Sequence, residues 1–334
     1  MTENFLLHKT ELPGKVIMGE CWARDGLQNE PNVVPTEGKV EILTQMVAAG
    51  MTRLEAVSFA HPKILPQFAD AEEVLKRIPR RAGVQYRGIC TTMKAVERAI
   101  ASKEEGYGVD EIVMVISSTE EHNSANVGMD HPTNKALIED MVKLSKETGH
   151  KVFGWVLTSF GCPIRGDVPL QEVSDMGKWW IDQGIDYLGF GDTTGVANPI
   201  QVGRFYEYIL DEGFDRDMIV VHFHDTRGWG IANSLTALTH GFTLFDSSLG
   251  AIGGQPQTGA AMYHTGFSGN TCTEDLVGMF EEMGIDTGIN IVKMIAAGKR
   301  AEEILGRRLR SNFISAGPVP HGGIQYDKEK GILK

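Results

Sequence analysis

Cysteine is scarce in this chain of 334 residues, which contains four cysteines and no Cys-x-x-Cys pair. Such wide spacing argues against a disulfide framework and against a structural zinc site built from thiolates. It favours a reducing compartment, and we therefore expect a cytoplasmic protein. The four positions are Cys21, Cys90, Cys162 and Cys272.

Long apolar runs and basic segments are also missing. No stretch approaches the roughly 18 apolar residues that span a bilayer. The N-terminal segment carries charges within its short apolar part, which argues against a secretory signal. Lysine and arginine number 32 against 44 acidic residues, which gives a net charge of −12. We therefore expect neither a membrane nor a nucleic acid among the partners.

Short segments rich in β-branched and aromatic residues alternate with helix-like segments along the chain. Many of the helix-like segments close on a glycine, such as Gly50, Gly149 and Gly184, as helices commonly do. The predicted strands cover residues 15–21, 52–59, 83–90, 111–118, 151–160, 187–192, 218–225 and 243–250.

This alternation predicts an α/β fold, either a closed TIM (β/α)8 barrel or an open doubly wound sheet. The count of eight strands favours the barrel. No Gly-x-Gly-x-x-Gly follows the first strand, which disfavours a dinucleotide-binding sheet. We predict a single domain over residues 1–334, with the catalytic barrel at about 15–272 and a C-terminal helical extension and tail at about 273–334.

Polar residues follow several of the predicted strands at their carboxyl ends, where barrels carry active sites. Arg24 and Asp25 follow the first strand, and a surface ion pair is the alternative interpretation. His222 and His224 stand two residues apart on the seventh strand, so both imidazoles face the same side. With an acid close by, they favour a metal site over a pair of hydrogen-bonded core histidines.

Three further polar residues are predicted at this mouth. Asp192, after the sixth strand, points into the mouth or caps the next helix. Glu55 lies within the second strand and needs a partner if it is buried, for which Arg24 is the obvious candidate. Asn270 follows the eighth strand and could offer its amide oxygen to a metal. A metal-ligand set without thiolates suits Mg²⁺, Mn²⁺, Co²⁺ or catalytic Zn²⁺, and its predicted members are Asp25, His222, His224 and Asn270.

Five motifs resemble those of the 3-hydroxy-3-methylglutaryl-CoA (HMG-CoA) lyase family, a branch of the metal-dependent lyases and Claisen synthases with TIM barrels. The resemblance spans roughly residues 15–300, and the motifs keep the family's order. They are RDGLQNE (24–30), LEAVSFAHPK (54–63), FGDTTGVANP (190–199), HFHDTRG (222–228) and SGNTCTEDLVGM (268–279).

The resemblance implies a homodimeric enzyme that cleaves a 3-hydroxyacyl-CoA with the help of a divalent cation, Mg²⁺ or Mn²⁺. The metal ligands that it implies are Asp25, His222, His224 and Asn270. The catalytic or substrate-binding residues that it implies are Arg24, Glu55, Asp192 and Gln28.

The loop after the last strand departs from the family pattern. There the family has a catalytic cysteine after a Gly-Gly pair, whereas Gly253 and Gly254 are followed here by Gln255. Because glutamine cannot shuttle protons, we predict that His264 replaces the thiol, with Tyr263 or another group as the alternatives. The glycine-rich loop itself is predicted to act as a lid.

The expected reaction is the retro-Claisen cleavage of HMG-CoA to acetyl-CoA and acetoacetate. Asp25 or His222 would take the hydroxyl proton, and Arg24, oriented by Glu55, would face the thioester oxygen. The alternatives are a lyase for citramalyl-CoA, a condensing acyltransferase of the isopropylmalate or homocitrate synthase type, and a barrel without catalytic activity. One candidate site for the CoA phosphates is a basic cluster formed by Lys299, Arg300, Arg307, Arg308 and Arg310.

Overall fold

Eight parallel strands close into a barrel in chain order, with the first strand paired to the eighth. The computed structural model describes residues 11–254 and 269–321, and the backbone of 326–327 and 332–333. The predicted TIM barrel is confirmed, and each strand lies close to its expected position. The strands are β1 Ile17–Glu20, β2 Arg53–Ser58, β3 Gln85–Ile89, β4 Glu111–Ser117, β5 Lys151–Leu157, β6 Tyr187–Asp192, β7 Ile219–Phe223 and β8 Leu244–Ser247.

Helices surround the barrel, and several begin at a side chain that accepts a backbone N–H. The Thr92, Asp130 and Asn198 side chains do so at the starts of the third, fifth and seventh helices. The helices are α1 Thr36–Ala49, α2 Ala71–Arg77, α3 Met93–Glu104, α4 Glu120–Val127, α5 His131–Glu147, α6 Leu170–Asp182, α7 Pro199–Asp211, α8 Gly230–Thr239, α9 Thr273–Glu282, α10 Ile291–Leu305 and α11 Asn312–Ala316.

Gly50 ends α1, as the sequence predicts, and only glycine suits this position. Its φ is 111°, and a Cβ atom would approach the Gly288 carbonyl oxygen to 2.3 Å. No helix among the described residues is long and apolar enough to cross a membrane. A short antiparallel pair, β9 Tyr326–Asp327 and β10 Ile332–Leu333, lies near the C-terminus.

The described residues from Thr273 to Ala316 are largely helical, as predicted, and they pack onto the barrel. Arg300 of α10 forms an ion pair with Glu41 of α1, with 2.7 Å between Nε and Oε1. Lys293 Nζ donates to the Ala48 carbonyl oxygen at 3.3 Å. Helix α10 thus lies beside α1 in the ring of helices. The domain boundary near residue 272 stays a prediction.

Alternation along the strands decides which side chains face the interior of the barrel. On β7, Val220 belongs to an apolar cluster inside the barrel, whereas Val221 and Phe223 belong to the core between strands and helices. His222 shares the inward side with Val220. His224, one residue beyond the end of the strand, faces the same side. The two histidines are therefore brought to the mouth by the same strand.

Candidate active site

The end of β1 presents two charged side chains through a wide helical turn. Residues Trp22–Gly26 form one turn of π-helix, in which the Gly26 N–H donates to the Cys21 carbonyl oxygen at 3.0 Å. Such turns are often found at functional sites. This turn brings both Arg24 and Asp25 to the cavity at the barrel mouth.

Arg24 binds Glu55 with two donors, as the sequence analysis predicts. Its Nε donates to Glu55 Oε1 at 2.6 Å and its Nη2 donates to Oε2 at 3.2 Å. The remaining Nη1 donates to Asp25 Oδ1 at 3.0 Å and to Gln28 Oε1 at 3.4 Å. Since Glu55 is almost fully buried, this two-point contact fixes the plane of the guanidinium group.

Asn270 reaches the site because the chain at residues 269–270 runs alongside the end of β7. An antiparallel bridge pairs Asn270 with His224, and the Asp225 N–H donates to the Gly269 carbonyl oxygen at 2.6 Å. The Asn270 side-chain Nδ2 donates to Asp25 Oδ2 at 2.5 Å and to the Ile252 carbonyl oxygen at 3.0 Å. These contacts leave the amide oxygen Oδ1 for another partner.

The three titratable members of the predicted ligand set converge. One ligand atom from each of Asp25, His222 and His224 lies within 4.8 Å of the others. The His224 Nδ1–H donates to the Thr193 carbonyl oxygen at 2.7 Å, which leaves Nε2 as the ligating nitrogen. That Nε2 is 3.8 Å from Asp25 Oδ2.

The ionisation states of these groups suit a cation. Burial opposes the charge of Asp25, but Arg24 and the two imidazoles hold the pKa of this carboxyl below its usual range. Burial lowers the pKa of His224 to about 4 and also lowers the pKa of His222. At neutral pH the site therefore presents one carboxylate and two neutral imidazoles, the forms in which these groups bind metals.

Two buried polar atoms support the fit of a metal ion. Asn270 Oδ1 and His222 Nδ1 have no hydrogen-bond partner among the described residues. A buried polar atom without a partner is costly, and coordination of a cation would satisfy the amide oxygen. The donor set of Asp25, His222, His224 and Asn270 thus fits a divalent cation.

A cavity of about 340 Å³ opens beside these groups. Arg24, Asp25, Gln28, His222 and His224 line one side of it. At Gly253 the backbone passes close to the ligand set, and only glycine fits there, because a Cβ atom would lie 2.6 Å from Asn270 Nδ2. The arrangement can place a small oxygen-rich substrate against both a cation and a fixed guanidinium group.

A model of the family described as HMGL-like matches residues 15–300. The chain belongs to the HMGL-like family.

The relatives include hydroxymethylglutaryl-CoA lyases from bacteria and mitochondria. The YngG protein of Bacillus subtilis is 38% identical over 299 residues, which cover 90% of this chain and 96% of that protein. The human mitochondrial HMG-CoA lyase is 33% identical over 305 residues, which cover 91% of this chain and 90% of that protein.

Solved structures of HMG-CoA lyases resemble this HMGL-like protein over nearly their whole length. The Bacillus subtilis HMG-CoA lyase superposes with a TM-score of 0.85 at 36% identity, covering 91% of this chain and 98% of that one. An HMG-CoA lyase from Acinetobacter baumannii, in complex with coenzyme A and 3-methylmalate, has a TM-score of 0.85 at 35% identity, with coverages of 92% and 97%.

Asp192 of this HMGL-like protein does not point into the mouth, so the predicted orientation is wrong. It shares the outward side of β6 with Phe190, whereas Gly191 lines the cavity. Asp192 Oδ1 accepts the N–H groups of Val196 at 2.8 Å and Ala197 at 3.2 Å. Burial raises the pKa of this carboxyl to about 7. The alternative interpretation, a cap for the turn before α7, describes the contacts.

The predicted replacements for the family's thiol, His264 and Tyr263, lie outside the described residues, as does Gln255. The basic cluster is largely engaged in ion pairs. Arg300 contacts Glu41 and Glu303, Arg307 contacts Glu30, and Arg308 contacts Glu302. These contacts give the cluster a structural role and provide no support for CoA binding there.

Sequence reasoning missed the side of the cavity that β5 contributes. Phe153, Trp155 and Leu157 alternate along that strand and face the interior. The alternation in KVFGWVL contains this information, but without the closed barrel nothing distinguishes its inner face from its outer face. Trp155 packs edge-on against His222, with 5.1 Å between the ring centroids.

Proposed function

We propose that this protein is an HMG-CoA lyase, which cleaves HMG-CoA into acetyl-CoA and acetoacetate. The observation that carries the proposal is the convergence of Asp25, His222 and His224 beside the Arg24–Glu55 pair in a single cavity. Membership of the HMGL-like family and the names of the relatives support the same reaction.

Asp25, His222, His224 and Asn270 would hold the divalent cation, which we propose to be Mg²⁺ or Mn²⁺. Carboxylate, imidazole and amide oxygen donors without thiolate are suited to either ion. When bound, the cation supplies positive charge that lowers the pKa of the substrate's tertiary hydroxyl.

The protein's own groups would handle the proton and the developing charge. Asp25 or His222 is the candidate base for the hydroxyl proton, because both line the cavity and carry lone pairs at neutral pH. Arg24 would face the thioester oxygen as the C2–C3 bond breaks and negative charge collects there. Glu55 positions Arg24 through the two-point contact.

A donor must then protonate C2 to complete acetyl-CoA. We propose His264 for this step, with Tyr263 as the alternative, on the loop that carries Gln255 in place of the family's cysteine. We further propose a cytoplasmic homodimer that binds its substrate through coenzyme A. The four free cysteines are consistent with a reducing compartment.

One assay tests the proposed reaction. Purified protein with Mg²⁺ or Mn²⁺ is given HMG-CoA or citramalyl-CoA, and acetyl-CoA release is followed. Cleavage of HMG-CoA with formation of acetoacetate is expected, and it should disappear when a chelator removes the cation. Cleavage of citramalyl-CoA alone would reassign the substrate.

The same preparation tests the remaining alternatives. Condensation of acetyl-CoA with a 2-oxo acid, without cleavage of either thioester, would identify a synthase. Absence of any turnover, together with unchanged Mn²⁺ binding in His222→Ala, would indicate a barrel that has lost this chemistry.

A further inference from the structure

A second cavity lies outside the barrel mouth, between the starts of α6 and α7. Its volume is about 390 Å³, and small-molecule sites in proteins usually measure roughly 300–1,000 Å³. Its walls come from the chain between β5 and α6, from the first residue of α6 and from the start of α7. We call it the outer cavity, and none of its described lining residues lines the cavity at the mouth.

Hydrogen bonds and aromatic contacts hold the base of the outer cavity in place. Gln201 Nε2 donates to the Phe160 carbonyl oxygen at 2.7 Å, which ties α7 to the chain after β5. Asn198 Oδ1 accepts the Gln201 N–H at 3.1 Å. The buried Phe160 ring packs against Phe205 and Phe223, with 4.7 and 5.5 Å between the ring centroids. Because these contacts are close-packed, the base keeps its shape whether or not a ligand covers it.

One side of the outer cavity is apolar and reaches the surface. Val168 and Leu170 are half-buried, whereas Ile200 is 69% exposed. A ligand that covers Ile200 removes apolar surface from water, which is favourable. This side therefore suits an aliphatic group.

Two charges of opposite sign line the same cavity. Asp167 lies on the chain before α6, and Arg204 lies in the second turn of α7. Neither side chain forms a hydrogen bond or an ion pair with any residue that the structure describes, so the two do not pair with each other. By contrast, Arg165 on the same connection pairs with Glu172, with 2.6 Å between Nη2 and Oε2. Asp167 and Arg204 are thus available to a ligand.

These charges decide which chemical class fits the outer cavity. A carboxylate alone would be attracted by Arg204 and repelled by Asp167, and an amine alone would meet the reverse. A phosphate ester carries more negative charge than one arginine beside a carboxylate can balance. A molecule that carries one carboxylate and one ammonium group can pair with both side chains at once.

We propose that the outer cavity binds a free α-amino acid with an aliphatic side chain. Arg204 receives the α-carboxylate, and Asp167 receives the α-ammonium group. The amino-acid side chain covers Val168, Leu170 and Ile200. This site goes beyond the proposed function and does not depend on it, because the outer cavity shares no described lining residue with the mouth.

Calorimetry with L-norleucine on the full chain tests the proposal. One molecule should bind per chain, with a Kd on the order of 1 mM, because the ligand is small and both charge pairs are exposed. Hexanoate lacks the ammonium group, pentylamine lacks the carboxylate and glycine lacks the side chain, so each should bind about fivefold more weakly. Absence of saturable binding up to about 10 mM, or equal Kd values for L-norleucine and hexanoate, would overturn the proposal.

Variants assign each charge to its partner. Arg204→Gln should remove the advantage of L-norleucine over pentylamine, and Asp167→Asn should remove its advantage over hexanoate. Arg165→Gln is the matched control, because this arginine lies on the connection before α6 but does not line the outer cavity. Its four Kd values should equal those of the parent protein. Losses of the same size in Arg165→Gln and Arg204→Gln would show a general effect of charge and overturn the proposal.

The competing occupant of the outer cavity is a second copy of the chain, and Ile200→Ser separates the two. If an amino acid is bound there, the advantage of L-norleucine over glycine falls about threefold in this variant. Sedimentation velocity should then give the same oligomeric state for the variant and the parent protein. A shift of the variant toward smaller species would identify an interface between copies and overturn the proposal.

Discussion

Two of the arginine–carboxylate pairs inside this barrel, Arg24–Glu55 and Arg87–Asp246, serve different purposes. Arg24 binds Glu55 with two donors at the mouth, where its side chain is 12% exposed and lines the cavity. Arg87 of β3 binds Asp246 of β8 with two donors as well, at 2.9 and 3.0 Å, but its side chain is fully buried. The same chemical pair therefore faces a cavity in one place and only other protein atoms in the other.

The difference shows how exposure decides what a charge pair can do. The Arg24 guanidinium has access to the cavity, so part of its field is available to a substrate. The Arg87 charge instead acts on Asp246. It keeps the pKa of this carboxyl below its usual range despite burial, so Asp246 stays ionised. Gly19 makes room for this inner pair, because a Cβ atom there would lie 2.0 Å from Asp246 Oδ1.

The largest effect is expected from breaking the inner pair. Arg87→Met leaves the Asp246 carboxylate buried without a partner, and such changes cost about 3–5 kcal/mol of unfolding free energy. Urea denaturation measures this loss. The double variant Arg87→Met/Asp246→Asn removes the stranded charge and should recover most of it. If both variants are equally unstable, the pair does not act through charge.

Breaking the outer pair, Arg24–Glu55, should reduce activity more than stability. Arg24→Met removes a donor that faces the developing charge on the substrate, and kcat/KM for HMG-CoA should fall by about 10²–10³-fold. The Arg24 side chain is 12% exposed at the cavity, so its removal would open Glu55 to water, and the loss of unfolding free energy should be smaller than for Arg87→Met. A variant with normal kcat/KM would contradict the role assigned to Arg24.

A third buried carboxylate extends the comparison, since its partners are dipoles instead of an arginine. Glu20 accepts N–H groups from Trp22 and Leu249 and the hydroxyl of Thr273. Burial is the main cause that raises its pKa to about 8. The folded protein therefore keeps a proton that the unfolded chain loses above about pH 4.5.

This carboxyl should make the protein less stable as the pH rises. Its contribution is complete below about pH 4.5 and is lost as the pH rises through about 8, by an amount on the order of 5 kcal/mol. Urea midpoints between pH 5 and pH 8 should fall for the parent protein and fall less for Glu20→Gln. Identical slopes would show that Glu20 is ionised in the folded state.

The smallest effect is expected at Asp192. Asp192→Asn keeps the side-chain oxygen that accepts the Val196 and Ala197 N–H groups, so it should cost at most about 1 kcal/mol of unfolding free energy. Its Mn²⁺ affinity, measured by calorimetry, should stay within about threefold of the parent, while Asp25→Asn should weaken Mn²⁺ binding much more. Equal losses in the two variants would place Asp192 at the cation.

The sequence predicts the mouth of this barrel better than its interior. The contact of Glu55 with Arg24 follows from the cost of burying a lone carboxylate, and the His222/His224 spacing follows from strand geometry. The sequence does not predict the orientation of Asp192, because this residue ends the strand on the outward side, which alternation assigns only once Phe190 is known to face the helices.

The inner pair could not be predicted by the same reasoning. Arg87 and Asp246 are 159 residues apart and lie on strands that are not neighbours in the barrel. No local motif marks either residue, and their contact depends on the closed sheet and on the space that Gly19 leaves.

The contact between Asp25 and Asn270 joins positions 245 residues apart in the chain. During synthesis the carboxylate leaves the ribosome early and the amide leaves it near the end, after all eight strands. An ion that needs both ligands cannot guide the first steps of folding. It can only be captured by a finished barrel, so metal uptake would report that folding is complete.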